Sequence, residues 1–178
     1  MKQFSITPEC KYYFCTDTIW GWQHVFTSEP FFHIIIESWN HCRKNKGLNI
    51  HGYVIMPNHI HSILSSMNGD LSSILRDYKR FTSNEISQLL QETNNTRLIN
   101  YFSTAAELTA RGDSSTIWQR GSHPIGLVSQ DFYHQKLKYM HDNPVRKGYV
   151  CSPEHWKYSS ARNYILNDNS IFAIDLLS

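Results

Sequence analysis

Residues 49–65 read N-I-H-G-Y-V-I-M-P-N-H-I-H-S-I-L-S. Two apolar runs, 49–56 and 59–65, flank the turn signal Pro57-Asn58, so the stretch predicts a β-hairpin. Along a strand, side chains two apart share a face. His59 and His61 therefore present two imidazoles side by side, while Ile60 points to the other face. Two neutral nitrogen donors on a rigid strand suit a divalent cation, with a third ligand supplied from elsewhere in the chain. A lone His-x-His also describes two ordinary, partly buried histidines, and at this point both readings stand. His51, on the preceding strand beside Gly52, is a weaker candidate ligand.

Working outward toward the N-terminus, residues 29–46 begin at Glu29-Pro30, carry Phe32, Ile35, Ile36 and Trp39 at helical spacing, and end with Arg43, Lys44 and Lys46 before Gly47. Proline near the start, cations in the last turn and a glycine stop predict an amphipathic helix. Residues 12–19 (Y-Y-F-C-T-D-T-I) predict a first strand. Toward the C-terminus, Leu71, Ile74, Leu75, Tyr78 and Phe81 line one face of a helix over 70–91, with Asp70 as its N-cap. Residues 92–117 are polar and poorly periodic, and are expected to form a flexible insertion with a short helix. Residues 118–128 (W-Q-R-G-S-H-P-I-G-L-V) predict an edge strand or irregular segment, and 130–143 a helix that Pro144 brings to an end. A Pro- and aromatic-rich segment follows from 152. Strand, helix, strand, strand, helix, edge strand, helix fits an α+β domain: a ferredoxin-like split βαβ with a central antiparallel sheet and helices mainly on one face. No repeat or linker divides residues 1–178.

The late helix carries the second constellation, Y-M-H-D-N-P-V-R at 139–146. Tyr139 and Asn143, four residues apart, share a helical face. One offers a phenol, the other an amide oxygen. Free tyrosine, with a pKa of about 10, is a poor nucleophile at neutral pH, and a nearby cation in a desolvated pocket favours its phenolate. A core tyrosine followed by a helix terminus is the competing reading. Tyr133 is the nearest rival, about 240° around the helix, with Leu137 rather than an amide four residues on.

Composition sets limits. Formal net charge is +2, so nucleic-acid contact must come from local clusters. Four cysteines lie far apart with no C-x-x-C pair, against a cysteine zinc site and in keeping with free thiols. The N-terminus has no secretory pattern and no apolar run is long enough for a membrane helix, so a cytoplasmic protein is expected. In that setting the sequon Asn94-Asn95-Thr96 meets no glycosylation machinery, and Arg111-Gly112-Asp113 marks a loop.

In chain order stand M-P-N-H-I-H (56–61), K-R-F (79–81), W-Q-R-G (118–121), Y-M-H-D-N-P-V-R-K-G-Y-V (139–150) and W-K-Y-S-S-A-R-N-Y (156–164). Together these motifs make the chain resemble the HUH single-tyrosine transposases, and within them the REP-associated tyrosine transposase branch, over roughly residues 12 to 164. The resemblance implies a ferredoxin-like fold, His59 and His61 as the metal pair, Tyr139 as nucleophile and Asn143 as third ligand. It implies Mg²⁺ or Mn²⁺ as cofactor and a DNA transposase that cleaves and rejoins single-stranded or hairpin DNA through a 5′-phosphotyrosine. Asn143 stands where related transposases commonly have glutamine. Pro124, following Ser122 and His123, departs from the relatives' pattern and would interrupt a central strand.

Arg76, Lys79 and Arg80 form a basic patch opposite their helix's apolar stripe, with further cations at Arg43, Lys44, Lys46, Arg146 and Lys147. Of these, Lys79, Arg80 and Arg146 are the expected phosphate contacts, with Trp118 and Arg120 as stacking and reading groups. Trp118 is equally a core candidate. Trp156 and Tyr158 are expected to pack. The expected partner is a single-stranded or hairpin DNA bearing repetitive palindromic elements, and a homodimer is compatible with the family. A non-catalytic hairpin-binding regulator and an HUH nicking nuclease are the alternative functions.

Overall fold

The computed structural model describes residues 6, 10–108, 116–120 and 124–176. The elements follow in the order β1 (Tyr13–Thr18), α1 (Glu29–Lys46), β2 (Leu48–Met56), β3 (His59–Ser66), α2 (Leu71–Glu92), α3 (Thr96–Leu108), β4 (Ile125–Gly126), α4 (Gln130–His141), α5 (Asn143–Arg146) and α6 (Ala161–Leu166). The sheet order is β2-β3-β1-β4, and every neighbouring pair is antiparallel. β1 and β2 therefore run parallel with β3 between them, which is the split βαβ of a ferredoxin-like α+β fold.

Local chemistry sets the helix ends. The α1 C-cap, Gly47, takes the left-handed conformation (φ 68°), and its N–H donates to the Cys42 carbonyl. The Asp70 side chain accepts from the Ser73 N–H at 3.2 Å and caps α2. The apolar stripes of these two helices close over one sheet face, where Ile35, Trp39, Ile74, Tyr78 and Ile86 join Ile50, Tyr53, Ile55, Ile60 and Leu64 in the main core.

The other face is covered by α4, whose Tyr133, Leu137 and Met140 pack on Phe14, Val54, Met56 and Ile63. A bulge between Ile50 and Gly52 gives β2 one extra residue, His51. Ile50 thus faces the main core while Gly52 faces α4. A Cβ at Gly52 would lie 2.5 Å from Met140 Cε and 2.9 Å from Leu137 Cδ1. Only glycine lets α4 approach this closely.

The 92–117 stretch departs from expectation. Thr96–Leu108 forms a 13-residue helix, α3. Leu98, Phe102, Ala105 and Ala106 are buried on its inner face, and Leu98 and Phe102 enter the main core. Arg111, Gly112 and Asp113 lie outside the described residues. Pro124 precedes a two-residue strand at the sheet edge, where a missing N–H interrupts no central pairing.

The opposite edge, β2, is covered by the chain beyond α5. Ser159 bridges to Val54, the Ile55 N–H donates to the Tyr158 carbonyl at 2.9 Å, and the Asp175 N–H donates to the Ile50 carbonyl at 2.8 Å. Tyr158 stacks on Phe32 with ring centroids 3.7 Å apart, and the Trp156 indole donates to the Ile55 carbonyl at 3.0 Å. No helix among the described residues is long and apolar enough to cross a membrane.

Candidate active site

His59 and His61 lie on the α4 face of β3, opposite Thr18 and Thr16 of β1. Their rings are 4.8 Å apart. The turn that delivers them is clamped by the β1–α1 loop. The Pro57 carbonyl accepts from the N–H groups of Val25 (2.9 Å) and Phe26 (3.0 Å), and the Asn58 carbonyl from that of Ile19 (2.9 Å). Each imidazole is oriented through Nδ1. His59 Nδ1 lies 2.7 Å from Asn58 Oδ1, and His61 Nδ1 lies 2.8 Å from the Thr16 hydroxyl. With the Nδ1–H donating to these oxygens, both Nε2 atoms keep their lone pairs.

Burial pushes His59 down to about 4, helped by the Lys147 charge. Burial likewise pushes His61 down to about 3, with His59, Arg146 and Lys136 adding to the effect. Both rings are therefore neutral at pH 7, as metal ligands must be.

Tyr139 and Asn143 reach the same place from α4 and α5. The Tyr139 ring meets His61 edge-on at 5.5 Å and is 45% exposed. Asn143 is buried, with its amide nitrogen 3.2 Å from His59 Nε2. The i, i+4 reading placed both on one face, and the structure brings both to the histidine pair. Two cations border the phenol. The Arg146 guanidinium lies 4.4 Å from the Tyr139 ring centre and donates to its carbonyl at 2.9 Å. Lys136 Nζ is 5.7 Å from the same ring and 5.1 Å from that of Phe14. Lys136 was missed in the sequence, although its i, i+3 spacing to Tyr139 was a usable signal.

The donor set fits a divalent cation. Two neutral imidazoles present Nε2, and the Asn143 amide, now at His59 Nε2, can offer its oxygen in the same place. Among the described residues no three or more His, Cys, Asp or Glu side chains cluster as a metal site.

Other expected residues fall elsewhere. Lys79 forms an ion pair with Asp17 at 2.7 Å, the two side chains being 20% and 5% exposed. Asp17 alternates with Thr16 and Thr18, so Lys79 sits on the sheet face opposite the histidines and points inward. Its ammonium is thus engaged by a buried carboxylate rather than turned toward the histidine pair. Arg80, on the same helix, is exposed beside Asp77 at 3.8 Å. Trp118 is 6% exposed, and its indole donates to the Thr82 hydroxyl at 3.0 Å, so it is a core residue without a face to offer a base. Arg120 is exposed, one residue past Gln119, whose N–H donates to the Thr18 carbonyl at 2.7 Å, at the His59 end of the sheet. His51 spends both nitrogens, on the Asp175 carbonyl and the Ser65 hydroxyl, each at 2.8 Å. Tyr133 is buried, with its hydroxyl 3.3 Å from that of Tyr164.

One neighbour carried no sequence signal. Trp22, in the 3₁₀ turn Trp20–Trp22, meets His59 edge-on at 5.7 Å. Its φ of +57° is left-handed. For a bulky residue that is an outlier, costing about 1–3 kcal/mol.

No protein-family model matches the chain. None of the curated proteins matches it either. Among solved structures it is similar to a REP-associated tyrosine transposase bound to a REP hairpin, at 19% identity and a TM-score of 0.60, over 94% of this chain and 86% of that one. That likeness shows a shared fold.

Proposed function

We propose that this chain is a REP-associated, HUH-type single-tyrosine transposase: a metal-dependent enzyme that cleaves and rejoins single-stranded or hairpin DNA. The observation that carries the reading is the convergence of Tyr139 on the His59–His61 pair, with ring centroids 5.5 Å apart at His61. A solved structure of similar fold is a REP-associated tyrosine transposase bound to a REP hairpin, which supports the same substrate class here.

The Tyr139 hydroxyl oxygen attacks phosphorus, forming the Tyr–O–P bond as the P–O3′ bond breaks. The phenol gives up its proton and the departing 3′ oxygen takes one up, leaving a 3′-OH and a 5′-phosphotyrosine with no net change in protons. The reverse attack by a 3′-OH restores the phosphodiester and frees the phenol, so no nucleotide cofactor is consumed. His59, His61 and Asn143 would hold a Mg²⁺ or Mn²⁺ ion, which supplies charge neutralisation at a phosphoryl oxygen. Arg146 and Lys136, beside the phenol, attract the phosphate and offset its charge. Thr16 and Asn58 fix the imidazoles in the tautomer that leaves Nε2 free.

The test is to incubate the protein with a library of DNA hairpins in Mn²⁺ and map any covalent tyrosine–DNA product. An adduct at Tyr139 is expected. Hairpin binding without any adduct would mean a regulator of the same fold, and nicking without transfer to a second end would mean a nuclease.

A further inference from the structure

Trp22 is large, apolar and 55% exposed, in a backbone conformation that disfavours its side chain. It nevertheless stands on a rigid support. Its N–H donates to the Ile19 carbonyl at 2.9 Å, and its carbonyl accepts from Asn58 Nδ2 at 3.3 Å. The oxygen of that same amide lies 2.7 Å from His59 Nδ1. One side chain therefore ties the Trp22 backbone to a histidine of the site.

The support continues on the outer side. Gly21 (φ 60°) lies against the Tyr101 hydroxyl, where any Cβ would collide. Arg97 Nη1 donates to Gln23 Oε1 at 2.8 Å. Tyr101 and Arg97 both belong to α3, so the helix that fills the 92–117 stretch braces the Trp20–Trp22 turn from behind. A tryptophan serving only to pack would be buried, and a glycine would relieve the backbone.

We propose that Trp22 is the stacking platform for an unpaired nucleobase next to the phosphate held at His59, His61 and Tyr139. The inference rests on the DNA-cleaving reading above. An aromatic ring in edge contact with His59 leaves its outer surface to whatever lies beside the reacting phosphate, and every base offers a π face to it. Stacking is tolerant of sequence, so this contact positions the strand rather than reading it. Because the turn is braced on both sides and the ring leans on His59, the backbone that carries the ring is in place before DNA arrives, and less order is lost on binding.

The test measures affinity by fluorescence anisotropy for a short labelled oligothymidylate and for a DNA hairpin with an oligothymidylate flank. Chelator is present throughout, so cleavage plays no part. Trp22→Ala and Trp22→Gly should each weaken binding about tenfold, and Trp22→Phe by no more than about threefold. Trp22→Gly suits the left-handed backbone, so its melting temperature should not fall, which separates lost stacking from lost fold. On flanks carrying abasic sites the wild type and Trp22→Ala should bind alike. Equal affinity of wild type and Trp22→Ala for intact flanks overturns the proposal, as does an equal loss on abasic ones. A wild type that binds neither DNA overturns the underlying reading, whereas a wild type that binds with Trp22 silent overturns only this one.

Discussion

The Tyr139 ring, on α4, meets the His61 ring, on β3, edge to face with centroids 5.5 Å apart and planes at 63°. Such a contact uses the phenol's ring and leaves its hydroxyl for chemistry. Tyr139→Phe keeps the ring and removes only the oxygen. It should abolish the covalent DNA adduct on denaturing gels, while stability changes by less than about 0.5 kcal/mol and hairpin affinity by less than about threefold. An undiminished adduct would exclude Tyr139 as the nucleophile.

Thr16 touches no substrate in this reading, yet its hydroxyl lies 2.8 Å from His61 Nδ1. Thr16→Val preserves shape and removes that partner. The expected result is a roughly 10- to 100-fold loss of Mn²⁺ affinity by calorimetry, with an unchanged far-ultraviolet spectrum. Replacing both His59 and His61 by alanine should remove all metal-stimulated cleavage. Full activity of that double variant in chelator would mean that the pair holds no cofactor.

Lys79 neutralises Asp17 at 2.7 Å beneath α2. Lys79→Ala strands a buried carboxylate. We expect a loss of about 2–4 kcal/mol in urea unfolding, below the fully buried range because the ammonium is partly solvated. The salt dependence of DNA binding should not change. If that slope drops by about one while stability holds, Lys79 contacts phosphate after all.

His51 gives the fold a component of acid sensitivity. Burial holds its pKa below the ordinary 6.5, against the raising effect of the Asp175 carbonyl bonded to its Nδ1–H. Its folded-state value is depressed, so below pH 6.5 the unfolded chain binds the proton more readily. The His51 contribution is therefore complete above pH 6.5 and declines as pH falls from there through the folded value. His51→Gln should lower stability at pH 7.5 and flatten the fall in urea midpoint between pH 6.5 and 5. An equally steep fall in the variant would place the sensitivity elsewhere.

The parts of this molecule that were legible in the sequence are those governed by a single element's period. Alternation along β3 put His59 and His61 on one face, and the helical repeat put Tyr139 with Asn143. Turn and cap residues fixed α1 nearly to the residue. What could not be read depends on which surface meets which. Lys79 looked like a free cation until Asp17 was placed across from it, and Trp118 looked like a stacking surface until Tyr78 and Phe26 closed around it. Trp22 gave no signal because its left-handed backbone is imposed by the Asn58 turn and by α3. The 92–117 stretch was misread as poorly periodic, although Leu98, Phe102, Ala105 and Ala106 recur at i, i+4, i+7 and i+8, because the polar residues between them obscure that stripe.

The imidazoles of β3 and the phenol that opposes them belong to one polypeptide. In the proposed reaction each molecule thus carries a full set of tools, and association between copies is not needed to assemble one. Mixing a copy that lacks its phenol with one that lacks its imidazoles should therefore restore no covalent DNA adduct, and a restored adduct would mean that copies exchange these groups.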